Sequence, residues 1–243
     1  MASRSVSSLL FGVLALACCG KSKNAEKLDQ KEAIDKMKPT IAVTPVKPDA
    51  ICVTKGQLDK GSVGVPTFRA VALGTSGDAS SLEFLYHGES KETRALASGQ
   101  LRRQIGLKLR AANGCNLVYV MWRLDPKPFL EISIKVNPGM RTHEECGANG
   151  YTKIKKSTYH TAVPALLAGE KHTLQAEIVG SELFAWIDGA LAWRGDLPDE
   201  AKGMSGPSGF RSDNLAYDVT TFSAPQGDTS AETPHCVAPD EGD

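Results

Sequence analysis

Hydrophobic and polar positions alternate most clearly between His172 and Phe222. Leu174, Ala176 and Ile178 alternate with Thr173, Gln175 and Glu177, the period-two pattern of a strand with one buried face. Beyond Gly180-Ser181, Leu183, Ala185 and Ile187 point one way while Phe184 and Trp186 point the other. Asp188-Gly189 separates this run from Ala190–Trp193. Asp-Gly between apolar runs predicts a two-residue hairpin, because a type I′ turn needs positive φ at both positions. The polar, Gly-rich stretch Asp196–Gly209 reads as a loop with a turn of helix, and a final strand follows FRSDN and closes at Phe222. Phe184, Trp186 and Trp193 are expected to supply much of the burial here, with the tryptophans in the core.

The same reading extends upstream. Strands are predicted at AICVT (residues 50–54) and at Val63–Gly74, and a hairpin joins Ser81–Gly88 to Thr93–Ser98. Ile105, Leu107 and Leu109 alternate with Gln104, Gly106, Lys108 and Arg110. Cys115–Leu124 is hydrophobic on both faces, as a central strand should be. In Phe129–Val136, Leu130, Ile132, Ile134 and Val136 take the core side, leaving Glu131, Ser133 and Lys135 on the open face. Asn137–Thr158 predicts a long loop with a short strand at Tyr151–Lys155, and VPALLAGEKH one helical turn. About a dozen short strands with scattered turn signals make an all-β sandwich.

Composition changes the picture in two ways. The 28 basic and 28 acidic residues balance, which gives no electrostatic argument for a nucleic acid or an anionic lipid surface, and no nucleic-acid partner is expected. The N-terminus reads as a bacterial export signal: Arg4, an apolar run Leu9–Leu16 too short to remain as a span, then Ala15–Cys18. Small residues before a cysteine resemble the lipobox of lipoprotein signal peptidase, which makes Cys18 the lipidated first residue. The alternative is an ordinary secretory cut near Ala17. Residues 1–17 are then the signal and 18–49 a charged, proline-containing tether. The sandwich spans 50–222, and 223–243 form a polar tail. The residue after Cys18 is not Asp, so the expected address is the cell envelope at the outer membrane. Setting aside Cys18 and Cys19, Cys52, Cys115, Cys146 and Cys236 permit three disulfide connectivities, among which the sequence does not choose.

The strand opening at His172, the hairpin W-I-D-G (Trp186–Gly189) and G-P-S-G-F-R-S-D-N (Gly206–Asn214) resemble the C-terminal half of concanavalin A-like jelly rolls. That superfamily includes laminin G-like modules, legume-type lectins, laminarinase-like glucanases and 3-keto-disaccharide hydrolase-like domains. The match covers about the last third of the sandwich and consists mostly of turn and core positions, so it implies a jelly-roll β-sandwich more than an activity. In such folds the first and last strands lie side by side, which favours Cys52–Cys236 together with Cys115–Cys146. The glucanases of this group carry E-x-D-x-E or E-x-D-x-x-E on one strand, where this chain has Glu131, Ser133 and Lys135. The keto-glycoside hydrolases show N-S-G-x-x-x-R, where Asn116–Arg123 lacks the Ser-Gly pair.

Other chemistry is thin. His143, Glu144, Glu145 and Cys146 match no zinc spacing. Asp213-Asn214 sits where some laminin G-like modules bind calcium, but a left-handed turn explains the pair equally well. Ser208 lacks a nucleophile elbow. No catalytic residue, metal or cofactor is therefore assigned. The ligand-binding candidates are Tyr119, Arg123, Glu131 and Lys135 on one strand face, with Lys108 and Arg110 beside them. A planar Tyr with fork-like Arg donors suits a polar or acidic saccharide. The bland alternative is that these charges merely solvate an exposed sheet. The functional expectation is a binding module for a glycan or envelope polymer, attached to the membrane through its lipid. A saccharide-acting enzyme and a structural lipoprotein are the alternatives.

Overall fold

Alternation becomes strand along most of the chain. In order, these are β1 (Thr44–Pro45), β2 (Ile51–Lys55), β3 (Ser62–Val63), β4 (Thr67–Ala72), β5 (Ala79–Glu89), β6 (Gln104–Leu109), β7 (Asn116–Arg123) and β8 (Phe129–Val136). A one-turn helix α1 (His143–Cys146) precedes β9 (Thr152–Lys153), β10 (Tyr159–His160), β11 (Lys171–Val179), β12 (Glu182–Ile187), β13 (Ala190–Asp196), β14 (Gly209–Asp213) and β15 (Leu215–Ala224). The computed structural model describes residues 36–96, 99–227 and 235–236. The export signal with Cys18, the tether through residue 35 and most of the tail lie outside the described residues.

Two antiparallel sheets face each other as a jelly-roll sandwich. One runs β1-β15-β5-β11-β12-β13-β10, with β3 also against β15; the other runs β2-β4-β14-β6-β7-β8-β9. Phe68, Ile105, Leu107, Leu109, Trp122 and Phe210 from the second sheet meet Leu82, Phe84, Leu174, Leu183 and Tyr217 from the first. Phe84 contacts Trp122 and Tyr217 edge-on at 6.3 and 6.0 Å between ring centroids. Both disulfides pair as the resemblance implied: Cys52–Cys236 and Cys115–Cys146.

The two turns of the quoted motif are structural. Asp188 and Gly189 take φ of 50° and 79°, as the hairpin requires. The Asp188 carboxylate accepts from the Thr173 N–H at 2.8 Å and pairs with His172 Nδ1 at 2.9 Å, clamping the hairpin turn to the start of β11. Asn214 sits at φ 56°. Its side chain donates to the Arg94 and Arg102 carbonyls and accepts from the Arg94 N–H.

Several expectations are corrected. The stretch Val63–Gly74 is two strands, broken at Gly64–Pro66, where proline brings no N–H. β5 does not pair with residues 93–96; it is sandwiched between β11 and β15, and the 93–96 backbone is held as loop by Asn214. Residues 163–172 form no helical turn, whereas Asp199–Ala201 does form one. The sandwich also begins before residue 50. β1 pairs with the end of β15, and Thr40 N–H, Thr40 Oγ1 and Ile41 N–H all donate to the buried Glu177 carboxylate at 2.8, 3.0 and 2.8 Å. Trp193 is core, but Trp186 lies on the opposite face from Leu183 and Ala185, buried where its Nε1 donates to the Met37 carbonyl at 3.0 Å. Among the described residues, no helix is long and apolar enough to cross a membrane.

Candidate functional site

The open face of the seven-stranded sheet holds the polar chemistry. Pairing registers place its side chains in rows across the strands. Lys55, Arg69, Arg211, Gly106, Met121 and Glu131 form one row through β2, β4, β14, β6, β7 and β8. The next row carries Val71, Gly209, Lys108, Tyr119, Ser133 and Lys153. Alternation decides the face: Arg69 stands between core Phe68 and Ala70, and Arg211 between core Phe210 and buried Ser212.

Two adjoining hollows of ≈ 430 and ≈ 320 Å³ make a groove over these rows, sharing Lys55, Arg69, Tyr119, His143 and Tyr151. The Tyr119 and Tyr151 rings stack at 6.0 Å. The Arg211 guanidinium lies over the Tyr119 ring, 5.1 Å from its centroid. His143 and Tyr151 arrive from the loop after β8. Cys146 bonds to Cys115 at the foot of β7, and Glu145 accepts from the Thr142 N–H at 2.8 Å to cap α1.

Electrostatics here are one-sided. Arg211 Nη2 donates to Asp213 at 2.6 Å, and Gln104 Nε2 donates to the same oxygen at 2.6 Å. Lys108 is buried, and among the described residues its ammonium reaches only the Ala70 carbonyl, at 3.4 Å. Burial, reinforced by Arg69 and Arg211, pushes Lys108 down to about 7 and Lys135 down to about 8. Burial and then the neighbouring Lys135 and arginines lower His143. At the far end Glu131 accepts from Lys153 at 2.7 Å and Arg123 at 3.0 Å. Burial pushes its carboxyl up, but these cations outweigh it and hold the group below the ordinary range.

Of the six ligand-binding candidates, Lys108, Tyr119 and Glu131 line the groove. Arg123 shares the face but is taken up by Glu131 and by the Phe129 ring 5.1 Å away. Lys135 is buried; its ammonium donates to the Gly114 carbonyl at 2.6 Å and lies 4.6 Å from the Tyr151 ring centroid. Arg110 leaves the face altogether: β6 ends at Leu109, and Arg110 turns away at φ 47° to pair with Asp78 at 2.6 Å. Arg69, Arg211, Tyr151 and His143 were missed. The alternation of TFRAVA and GFRSD marks both arginines, whereas no sequence periodicity marks Tyr151 or His143. Among the described residues, no group of three His, Cys, Asp or Glu side chains is arranged to hold a metal. Asp213 and Asn214 are engaged by protein donors and backbone as described above.

No protein-family model and no curated protein matches the chain. Among solved structures, a carbohydrate-binding module of Bacillus subtilis is similar at 9% identity over 77% of this chain and 98% of that one, with a TM-score of 0.49. The carbohydrate recognition domain of Emp46p is 10% identical over 74% and 90%, with a TM-score of 0.45. The Crh5 transglycosylase in complex with NAG is 12% identical over 78% and 85%, with a TM-score of 0.42. At such identities no ligand or activity transfers.

Proposed function

We propose that this chain is an exported, lipid-anchored module that binds a glycan or another envelope polymer in the groove on the open face of the seven-stranded sheet. One observation carries the reading. A groove on a rigid sheet presents strand-borne hydrogen-bond donors beside the Tyr119–Tyr151 pair, the mixture of apolar body and polar tip that a sugar requires. Double-carboxylate hydrolysis needs one carboxyl that keeps its proton. Glu131, the carboxylate lining the groove, is instead ion-paired by Lys153 and Arg123 and held ionised. Export is supported by the apolar run before Cys18 and by two disulfides, which persist in oxidising compartments.

A glycan array run beside hydrolysis assays on the same panel tests the function. Binding without turnover is expected, and Tyr151→Ala should weaken it roughly tenfold, as loss of one aromatic contact in a small site implies. Turnover of any glycoside would overturn the binding-module reading. Membrane fractionation of Cys18→Ala tests the anchor, and an unchanged distribution counts against it.

A further inference from the structure

The groove floor violates a rule that sheets normally keep. Like charges directly opposite on neighbouring strands are destabilising, yet β2, β4 and β14 set Lys55, Arg69 and Arg211 side by side in one row. Lys108 is one register step away on β6, paired opposite Gly209, the second residue before Arg211. The carboxylate within this group, Asp213, is already engaged by Arg211 and Gln104. The Arg69 side chain forms no hydrogen bond or ion pair among the described residues, and its Nε is buried without an acceptor. Half-buried and set among like charges, this guanidinium is partly stripped of water and favours a counter-charge from elsewhere.

We infer, resting on the glycan reading above, that the ligand is an acidic sugar, one of whose anionic substituents (carboxylate, sulfate or phosphate) docks against Arg69 and Lys108 with Arg211 behind them. The chemistry fits at each atom. The Arg69 guanidinium supplies a planar fork that takes two oxygens of one anion. The Lys108 ammonium supplies point charge, and its single weak carbonyl contact among the described residues leaves donors over. Neutral hydroxyls can accept these hydrogen bonds but cannot cancel the repulsion along the row. Lowered Lys108 agrees with this: the free groove sheds a proton there, and a bound anion favours its return. The sugar ring itself lies along the neighbouring hollow beside Tyr119 and Tyr151.

The test uses the full-length protein, disulfides intact, on a panel of matched glycan pairs: uronate oligosaccharides with their carboxyl-reduced forms, and sulfated or phosphorylated ones with their stripped forms. Inorganic polyphosphate serves as a non-sugar polyanion. Binding confined to the acidic members and weakened by salt is expected, and the pairs tell carboxylate from sulfate and phosphate. Arg69→Gln should lower that affinity roughly tenfold or more, the size of one charge-assisted contact. Arg69→Lys should retain part of it. The unliganded Arg69→Gln protein should unfold at the same temperature as the parent or higher, because a repelling charge is gone; an arginine with a merely structural role would give the reverse. Neutral members bound as well as their acidic twins, or acidic binding untouched by Arg69→Gln, overturn the inference and leave the glycan reading intact. Polyphosphate bound as tightly as the acidic sugars sinks the sugar specificity, and silence across the whole panel sinks both.

Discussion

Replacing Lys108 by Met should make the unliganded protein more stable, and most so at low pH. Lys108 is 7% exposed, and among the described residues its ammonium has one long contact, to the Ala70 carbonyl. Burial, then Arg69 and Arg211, lower it from 10.5 to about 7. Met keeps most of the stem and discards the charge. Near pH 6 the lysine is protonated both folded and unfolded, so the folded state bears the whole cost, about 5 kcal/mol as an upper bound. Above pH 7 the folded group releases its proton while the unfolded one keeps it until about 10.5. The unfolded chain then binds more protons, stability rises with pH, and the cost shrinks to about 2 kcal/mol near pH 9. Urea unfolding of parent and variant near pH 6, 7.5 and 9, without reductant, measures the gap directly. A variant no more stable near pH 6, or an advantage that widens toward pH 9, refutes the reasoning.

Three further outcomes follow from other parts of the fold. Removing the Cys52–Cys236 crosslink, which spans 184 residues, should cost about 5 kcal/mol, against about 4 for Cys115–Cys146, which spans 31. Double Cys→Ser variants compared by denaturant midpoint test that ranking, and a reversed order rejects the chain-entropy account. Asn214→Ala should cost about 2–4 kcal/mol through its lost bonds and its left-handed φ, while Asn214→Gly should recover about 1 kcal/mol of that. Equal losses would show that the backbone conformation contributes nothing. Glu177→Ala should speed amide exchange at Thr40 and Ile41 by roughly tenfold or more, since both amides donate to that carboxylate; unchanged rates would disprove the clamp.

The fold was readable where one rule acts alone. Alternation placed β6, β8, β11 and β12 and their buried faces, because a period of two admits no other arrangement against a single core, while β7 showed as a run hydrophobic on both faces. It failed at residues 93–96, where the pattern suits a strand but Asn214, more than a hundred residues away, holds the backbone as loop. The same difference separates the site residues. Tyr119, Lys108 and Glu131 follow from strand parity. Arg110 breaks parity because the strand stops one residue earlier. Lys135 keeps parity but is covered by Tyr151, a residue delivered by a loop and a disulfide that no local pattern encodes. Arg69 and Arg211 obeyed the rule and were legible; what the sequence lacked was the register that sets them opposite each other.

The way β15 is bordered bears on how the protein behaves at high concentration. One flank of this ten-residue strand lies against β5. On the other flank β3 pairs at Tyr217 and Asp218, the Gly61 carbonyl accepts from Val219 N–H, Val46 N–H donates to Phe222 O, and β1 pairs at Ser223 and Ala224. A long free edge would template pairing between molecules; here it is tiled by two-residue pieces, one of them containing Pro45. The outermost strands β10 and β9 are equally brief, and β2 is tied down by Cys52. Crowded copies of this sandwich should therefore remain colloidally separate without relying on net charge, which is zero by formal count.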